Sequence, residues 1–325
     1  EICASYAPAM ESFSIDEVFL DMTGTHLIYP DPVAVAHEIK DKIRDELGFT
    51  VNVGIGTNKL LAKMASDFEK PDKVHTLFPP EIPKKMWPLP VRDLLFLGKA
   101  SEQRLLQEGI KTIGDMARSG EAELKRILGE KAGHQLYRYA NGIDDSPVRA
   151  EREEAKGYSA ETTVEEDLVT YEQALALLLA QCDVVAARMR RDGKKCSCVA
   201  VTYRTLDFKT RSHQRAFEDP TDVTDEIFAQ VKKLLYECWK CEPLRLIGMA
   251  LTDLTTDDFR QISLFENPDE REKQKKADEA FDDIRRRFGN GMIVRGSTMS
   301  TAGKVARKAK AQMDQDVRIK KEKEK

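Results

Sequence analysis

Short apolar runs alternate with amphipathic helical patterns over the first seventy residues of the chain. Residues 13–20 are rich in β-branched and aromatic side chains and predict a strand. Residues 36–47 carry apolar side chains at helical spacing before a glycine, which predicts a helix that ends there. Residues 50–55 predict a second strand, and Asn58 is suited to cap a second helix that Pro71 stops. This order of strand, helix, strand and helix is typical of an α/β or α+β layer.

The next part of the chain changes character twice. Five prolines over residues 79–90 predict a linker. Residues 91–140 then show short helical patterns separated by glycines, without strand-like alternation, which predicts a small all-helical module. Residues 141–159 are polar and charged, as tethers between domains are.

A third module follows, in which long helices alternate with strands. Helical patterns over 171–191 and 224–239 are combined with strand patterns that end with residues 244–254, and a βαββαβ-like sandwich fits this order. After it, residues 258–265 predict a short exposed apolar peptide, and a charged, helix-prone stretch begins at Pro268.

Composition supports several compact domains and argues against a membrane protein. The chain has 325 residues, 41% of them hydrophobic, which suffices for a core in each module. Basic and acidic residues nearly balance, 52 against 56, but residues 266–325 carry a basic excess. The longest apolar run is far shorter than the roughly 20 residues that a membrane-spanning helix needs. Because no secretory leader follows Glu1, we expect a cytoplasmic protein without a membrane partner.

The six cysteines are expected to be reduced thiols. Cys196 and Cys198, with Cys238 and Cys241, leave a zinc site open as an alternative. The first pair falls on a predicted strand and the second on an apolar helix face, so a structural metal is the less favoured reading.

Asp16 and Glu17 are the sharpest chemical signal. Adjacent carboxylates on a regular strand point to opposite faces, so they can share a metal ion only where the chain turns or bulges. The alternative is a solvated hairpin tip. Lys59, Lys63 and Lys70, which accompany the second helix, offer ammonium groups to a polyphosphate, although such lysines are more often a solvated face. Carboxylates and a polyphosphate together would suit Mg²⁺.

Two features suit nucleic acid. Gly98 and Lys99 precede a helix and a second glycine turn, an arrangement that can aim backbone amides at phosphates, although any helical bundle needs glycine turns. A basic cluster, with only Asp192 and Asp207 interspersed, either contacts phosphates or forms a solubilising face. Its members are Arg188, Arg190, Arg191, Lys194, Lys195, Arg204, Lys209, Arg211 and Arg215.

Four segments resemble one family when they are taken together. They are ESFSIDEVFLDMTG (11–24), VGIGTNKLLAKMASDFEKP (53–71), LPVRDLLFLGKASEQRLLQEGIKTIGDM (89–116) and KGYSAETT (156–163). In this order and spacing they resemble the Y-family of translesion DNA polymerases, and within it the bacterial DNA polymerase IV type.

The resemblance implies an α+β multidomain fold. It consists of a partial palm with a mixed β-sheet and helices, an all-helical thumb with a helix-hairpin-helix, and a βαββαβ-like little finger. The expected boundaries are 1–88 for the palm part, 89–145 for the thumb, 146–159 for a linker, 160–257 for the little finger and 258–325 for a clamp-binding peptide and charged tail.

The resemblance also implies a low-fidelity, DNA-directed DNA polymerase for translesion synthesis and repair. Asp16 and Glu17 match the catalytic carboxylates that hold two Mg²⁺ ions, and Lys70 matches a lysine that contacts the incoming triphosphate. Lys63 is the second residue that we expect to bind the nucleotide. Asp21 is expected to be structural.

The implied partners are primer-template DNA, deoxynucleoside triphosphates and the bacterial sliding clamp, bound by a monomer. The expected DNA-binding residues are Gly98, Lys99, Lys209, Arg211 and Arg215. The clamp-binding peptide is expected at QISLF, through Gln261, Leu264 and Phe265.

Two departures from the family pattern qualify these expectations. Family members begin with a further strand that carries a third metal-binding Asp, and nothing similar precedes Glu1. Phe96 stands where the thumb hairpin usually has its first Gly, although a Phe adopts a positive φ less easily. The alternatives are a non-catalytic DNA- and clamp-binding fragment and, from another class, a helix-hairpin-helix nuclease or recombination factor.

Overall fold

A computed structural model of the chain describes residues 2–150, 154–257, 268–289 and 292–296. The chain divides into two compact units, Glu1–Glu153 and Glu154–Lys325. The boundary between them lies within the polar stretch that the sequence predicts as a linker.

The first unit begins with a hairpin and two helices around a pair of parallel strands. Its elements are β1 (Ala9–Ser12), β2 (Val18–Asp21), α1 (Pro32–Leu47), β3 (Val53–Gly56), α2 (Lys59–Ser66) and β4 (Val74–Leu77). β1 and β2 pair antiparallel, with Ser12 opposite Val18, and β3 pairs with β4 in parallel. The single strand predicted over 13–20 is therefore wrong, because residues 13–17 form the loop of the hairpin. β-branched composition alone does not show where a strand turns.

Two predicted helix signals are confirmed, the end of α1 and the cap of α2, and the predicted end of α2 is not. α1 ends at Gly48, which adopts φ 72°, and the side chain of Asn58 accepts a hydrogen bond from the N–H of Leu61 as the cap of α2. α2 ends at Ser66, before the predicted stop at Pro71.

β3 and α2 pack closely enough to require glycine on the strand. A Cβ on Gly54 would lie 1.9 Å from the carbonyl oxygen of Ala62, and one on Gly56 would lie 2.7 Å from the Ala62 nitrogen. Both contacts involve backbone, which cannot swing aside. The two glycines thus fix how closely helix α2 approaches the strand.

The proline-rich stretch 79–90 is packed and is not the free linker that its composition predicted. It includes the short helix α3 (Ile82–Lys85), and Ile82 and Met86 are buried in the same core as Leu60 and Leu61 of α2. Proline fixes the backbone dihedral angles without requiring solvent exposure, so composition did not distinguish the two cases.

The all-helical module is confirmed within the described residues. Its helices are α4 (Lys99–Gln107), α5 (Ile113–Ser119), α6 (Glu121–Leu128) and α7 (Glu130–Ala140). Leu105, Ile113, Met116 and Leu124 bury completely in the core that also holds α2. One hydrophobic core therefore joins helix α2 and the all-helical module, whereas α1 packs in a separate cluster with Tyr6.

The second unit has the predicted βαββαβ order. Its elements are β5 (Tyr158–Leu168), α8 (Tyr171–Arg191), β6 (Lys195–Thr205), β7 (Thr210–Thr221), α9 (Thr224–Cys238) and β8 (Leu244–Thr255). The sheet order is β5-β8-β6-β7, antiparallel throughout, and β7 is an edge strand. The core lies between this sheet and helices α8 and α9, around the fully buried Trp239.

A further helix, α10 (Pro268–Phe288), is held to α8 by buried ion pairs and to α9 by the partly exposed pair of Arg271 and Glu226. Asp183 of α8 pairs with Arg285 at 3.1 Å and with Arg295 at 2.9 Å, and its side chain is 5% exposed. Arg190 of α8 pairs with Asp282 of α10 at 2.7 Å. This helix is therefore attached by charge.

Replacing the buried carboxylate should release this attachment. In Asp183→Asn the buried guanidinium of Arg285 loses its carboxylate partner, while Arg295 keeps Asp225 and Asp278, so we expect the second unit to lose about 3 kcal/mol of unfolding free energy. Urea denaturation, followed through Trp239 fluorescence, and amide exchange of α10 measure it. Asp283→Asn is the control, because the Asp283–Arg286 pair is exposed and should cost less than about 1 kcal/mol. Equal losses in the two variants would contradict this account of α10.

Candidate active site

The carboxylate pair Asp16 and Glu17 lies in the loop between β1 and β2. The carbonyl oxygen of Glu17 accepts hydrogen bonds from the backbone N–H groups of Phe13 at 2.9 Å and Ser14 at 3.2 Å, which closes the loop. The hydroxyl of Ser14 donates to Oδ1 of Asp16 at 2.8 Å. The chain turns at the pair, which is the condition under which adjacent carboxylates can face one ion.

Lysines of helix α2 hold this hairpin by two ion pairs one helical turn apart. Nζ of Lys59 lies 2.9 Å from Oε2 of Glu11 on β1, and Nζ of Lys63 lies 2.7 Å from Oε1 of Glu17 in the loop. Lysines at i and i+4 lie on the same helix face, so both face the hairpin. Lys63 is therefore already a partner of one carboxylate of the pair.

Asp67 extends this arrangement toward Lys70. Its carboxylate pairs with Lys63 at 2.8 Å and with Lys70 at 2.8 Å. Lys63 is 14% exposed at its side chain, whereas Lys70 is 58% exposed. Of the two lysines that the sequence nominated for nucleotide binding, one is enclosed by carboxylates and the other projects into solvent.

The same contacts shift the pKa values of these groups. Burial lowers the pKa of Lys63, but its hydrogen bonds with Asp67 and Glu17 outweigh burial and raise the pKa above its usual value. Burial raises the pKa of Asp67, and hydrogen bonds from Lys63 and Lys70 outweigh burial and lower it. Lys63 and Asp67 are therefore both charged at neutral pH.

The donor set suits a hard divalent cation. Asp16 is exposed and the side chain of Glu17 is 36% exposed, so carboxylate oxygens can reach a ligand from solvent. Carboxylate oxygens are ligands that Mg²⁺ prefers, and an ion on this pair keeps positions for phosphate oxygens and water. Within the described ranges no group of three or more His, Cys, Asp or Glu side chains is placed to hold a metal ion.

The thumb hairpin presents the start of helix α4 to solvent. Gly98 is the N-cap of α4, no side chain caps the first amides, and Lys99 is exposed. A Cβ on Gly98 would meet nothing within 4 Å. Phe96, two residues earlier, has φ 65°. The position at which the family pattern has glycine therefore keeps a positive φ although its residue is Phe.

The nominated basic residues of the second unit lie at the edge of its sheet. Arg211 and Arg215 of β7 pair with Tyr203 and Val199 of β6, both buried against the helices. Partners across an antiparallel pair share a face, so the two arginines lie on the helix-covered side. Lys209 lies in the preceding hairpin loop.

Acidic residues accompany these cations, and those of Arg211 and Arg215 are distant in sequence. Arg211 pairs with Glu242 at 3.1 Å and Arg215 with Glu237 at 2.7 Å. Lys209 pairs with Asp207 at 2.6 Å. The net positive charge around these residues in the folded protein is thus smaller than the count along the sequence suggested.

One member of the basic cluster is not available to a ligand. Arg190 is 9% exposed at its side chain and is engaged by Asp278 and Asp282 of α10. The interpretation of residues 188–215 as one basic face is therefore wrong at this position, because the acidic partners come from a helix about ninety residues later.

The other face of the sheet carries Arg204, which the sequence analysis placed in the basic cluster, and three hydroxyl residues that it did not single out. Thr202 and Arg204 of β6 lie opposite Ser212 and Thr210 of β7, and these side chains are on the side away from the helices. A count of basic residues along the chain ignores the alternation of side chains between the two faces of a strand. The polar residues at even-numbered positions of β7 are the sequence signal that could have identified this face.

The other residues named in the sequence analysis are the clamp-binding peptide, Asp21 and the cysteines. Gln261, Leu264 and Phe265 lie outside the described residues. Asp21 accepts a hydrogen bond from the Thr23 N–H at 2.9 Å, which fits the structural role expected of it. The six cysteines are free thiols, and Cys196 is buried in β6. No helix in the described ranges is long and apolar enough to cross a membrane.

Three protein-family models match the chain in succession. Residues 1–67 match the impB/mucB/samB family, residues 92–144 match the thumb domain of DNA polymerase iota, and residues 155–264 match the C-terminal domain of the impB/mucB/samB family.

Curated proteins named DNA polymerase IV match over most of their length. That of Clostridium acetobutylicum is 40% identical over 290 residues, which is 89% of this chain and 72% of the relative. That of Pelotomaculum thermopropionicum is 36% identical over 93% of this chain and 75% of the relative. DNA polymerase IV 2 of Bacillus subtilis is 32% identical over 95% and 76%.

A solved structure matches the fold. A Y-family DNA polymerase chimera superposes with a TM-score of 0.65 at 22% identity, over 78% of this chain and 73% of the other. At this identity the match concerns the fold alone, and it confirms the fold class expected from the sequence.

Removing the shared lysine should change the titration of its acidic neighbour. We expect Lys63→Met to raise the pKa of the Asp67 carboxyl, because the hydrogen bond from Lys63 is the largest contribution that lowers it. Carbon-detected NMR titration measures this value directly. Lys70→Met should raise it by less, and Lys84→Met, on the short helix α3, should leave it unchanged. An Asp67 pKa that is the same in all three variants would refute the assigned cause.

Proposed function

Because this chain belongs to the DNA polymerase IV group of the Y-family DNA polymerases, we infer that it is a DNA-directed DNA polymerase of translesion synthesis and that the hairpin of β1 and β2 carries its catalytic carboxylates. The observation that carries the assignment of the site is the loop that presents Asp16 and Glu17, tied to helix α2 by Lys63. A relative at 40% identity over most of the chain supports the same reaction.

We assign Asp16 and Glu17 to the binding of two Mg²⁺ ions. Bound there, the ions would lower the pKa of the primer hydroxyl and neutralise charge on the phosphates. The exposed carboxylate of Asp16 is free to turn toward a ligand apart from its bond with Ser14. Glu17 would exchange part of its contact with Lys63 for the new cation, and Lys63 would keep Asp67 as a partner.

The lysines are assigned to the incoming nucleotide. Lys70 is exposed and has one carboxylate partner, so its ammonium group can move to a phosphate with little desolvation. Lys63 lies between Glu17 and Asp67 and would approach the triphosphate when the carboxylate of Glu17 turns away. Both would neutralise negative charge on the leaving pyrophosphate.

DNA contacts are assigned to the thumb hairpin and to β7. The uncapped amides at Gly98 and the exposed Lys99 suit one backbone phosphate. Lys209, Arg211 and Arg215 are half-exposed or exposed, and their surface ion pairs are weak enough to exchange for phosphates. Such contacts hold DNA without reading its sequence.

We also propose that Gln261, Leu264 and Phe265 bind the sliding clamp. The sequence QISLF supports this assignment, since a glutamine and an adjacent Leu-Phe pair suit separate pockets of a preformed groove. In sequence the peptide follows the last strand of the second unit.

The carboxylates are tested by neutral isosteres. Asp16→Asn and Glu17→Gln should each reduce single-nucleotide incorporation by at least about 10³-fold, because an amide oxygen binds Mg²⁺ far more weakly than a carboxylate. Primer-template affinity, measured by fluorescence anisotropy, should stay within about twofold. Asp45→Asn, an exposed carboxylate on α1, is the control and should retain activity. Synthesis at the unmodified rate by either site variant would reject the assignment.

The clamp peptide is tested separately from chemistry. The double variant Leu264→Ala and Phe265→Ala should lose stimulation by a bacterial sliding clamp in primer extension, since anchors in hydrophobic pockets dominate such contacts. Extension without the clamp should be unchanged. Asn267→Ala, outside the pentapeptide, is the control. Full stimulation of the double variant would exclude this peptide as the clamp contact.

A further inference from the structure

Four aromatic rings form a continuous series from the carboxylate hairpin to the thumb. Phe19 of β2 contacts Phe13 edge to face, with centroids 5.2 Å apart. Phe13 contacts Phe96 of the thumb hairpin at 6.2 Å and 66°, again edge to face. Phe96 in turn lies 6.3 Å from Tyr139 of α7. All four residues belong to the first unit, so the series joins its two ends within one body.

Phe96 occupies its position against its own backbone preference. Its φ of 65° lies in the left-handed region, which disfavours a side chain with a Cβ. The ring is 63% exposed, so burial compensates only part of that cost. In this conformation the ring of Phe96 packs against the rings of Phe13 and Tyr139, and these contacts offset part of the strain. Glycine at this position would remove the backbone strain. A side chain that is kept despite the strain indicates a function of the side chain itself.

The ring connects the two backbones on which the proposed reaction depends. Phe13 donates its N–H to the carbonyl oxygen of Glu17 at 2.9 Å and so belongs to the frame of the carboxylate loop. Phe96 lies two residues before Gly98, where the first amides of α4 are open to a phosphate. A displacement of the thumb hairpin would therefore be transmitted to the carboxylate loop through the contact between Phe96 and Phe13.

We propose that Phe96 is a positioning residue that couples occupancy of the thumb hairpin by the DNA backbone to the placement of Asp16 and Glu17. This inference rests on the proposed function of the carboxylates. When a phosphate holds the hairpin at Gly98, Phe96 presses on Phe13 and fixes the loop, and the carboxylates bind their cation in one arrangement. Without the ring, DNA still binds but the loop is held less firmly.

The test separates metal binding from DNA binding. Phe96→Leu keeps an apolar side chain and the strained backbone but removes the ring. We expect its Mn²⁺ affinity in the primer-template complex, measured by electron paramagnetic resonance, to fall about three- to tenfold, with a similar rise in the Mg²⁺ concentration needed for half-maximal incorporation. Primer-template affinity should stay within twofold. Phe49→Leu, equally exposed at 63%, is the control and should match the parent in all three measurements.

A double-variant cycle identifies the contact responsible. Phe13→Leu should weaken Mn²⁺ binding as Phe96→Leu does, and the second change should add little to the first, because both remove one ring contact. Additive losses, or a Phe96→Leu protein with unchanged Mn²⁺ affinity, would overturn the coupling. A fall in DNA affinity alone would also overturn it, since it would assign the ring to DNA binding.

The two levels of inference fail separately. If Asp16→Asn retains synthesis, the proposed site is wrong whatever Phe96 does. If Asp16→Asn is inactive and Phe96→Leu binds Mn²⁺ as the parent does, the site stands and only the coupling is rejected. Phe96→Gly removes the ring and relieves the backbone, so it should raise the melting temperature relative to Phe96→Leu while it shares the loss of Mn²⁺ affinity.

Discussion

The two ion pairs between helix α2 and the hairpin of β1 and β2 determine where the candidate site can form. Lys59 with Glu11 and Lys63 with Glu17 are one helical turn apart, so together they fix both the position and the rotation of the hairpin. The helix can face the hairpin in this way because Gly54 lets it approach β3 closely. Close packing, helix period and charge thus combine to place one loop of carboxylates.

Charge has a different role in the second unit. There Asp183 and Arg190 of α8 are buried partners of Arg285 and Asp282, and these pairs attach α10 to α8. Ion pairs of this kind add less to stability than they cost when one partner is lost, so they specify where the helix sits. The exposed pairs at the edge strand are weaker and exchangeable, which is what contact with a polyanion requires.

Much of the fold could be predicted from sequence because its signals are local. Asn58 caps α2 through its own side chain, and the pattern over 171–191 coincides with α8 because amphipathic period and helix length are properties of the segment. The predicted strand over 13–20 and the predicted linker over 79–90 were wrong for a common reason. Whether a β-prone run turns, or a proline-rich run is buried, depends on partners elsewhere, here Ser12 of β1 across the hairpin and the core around Met86.

The sequence by itself determined the family, the order of the modules and the residue types available for chemistry, because motifs and periodicity are written along the chain. Only the tertiary structure decided which of those groups meet. It placed Lys63 between Glu17 and Asp67, withdrew Arg190 into contact with α10, and gave Arg211 and Arg215 acidic partners from remote segments. It also brought Phe96 against Phe13. Interactions between charges and rings fall off with distance in space, which spacing along a chain does not encode.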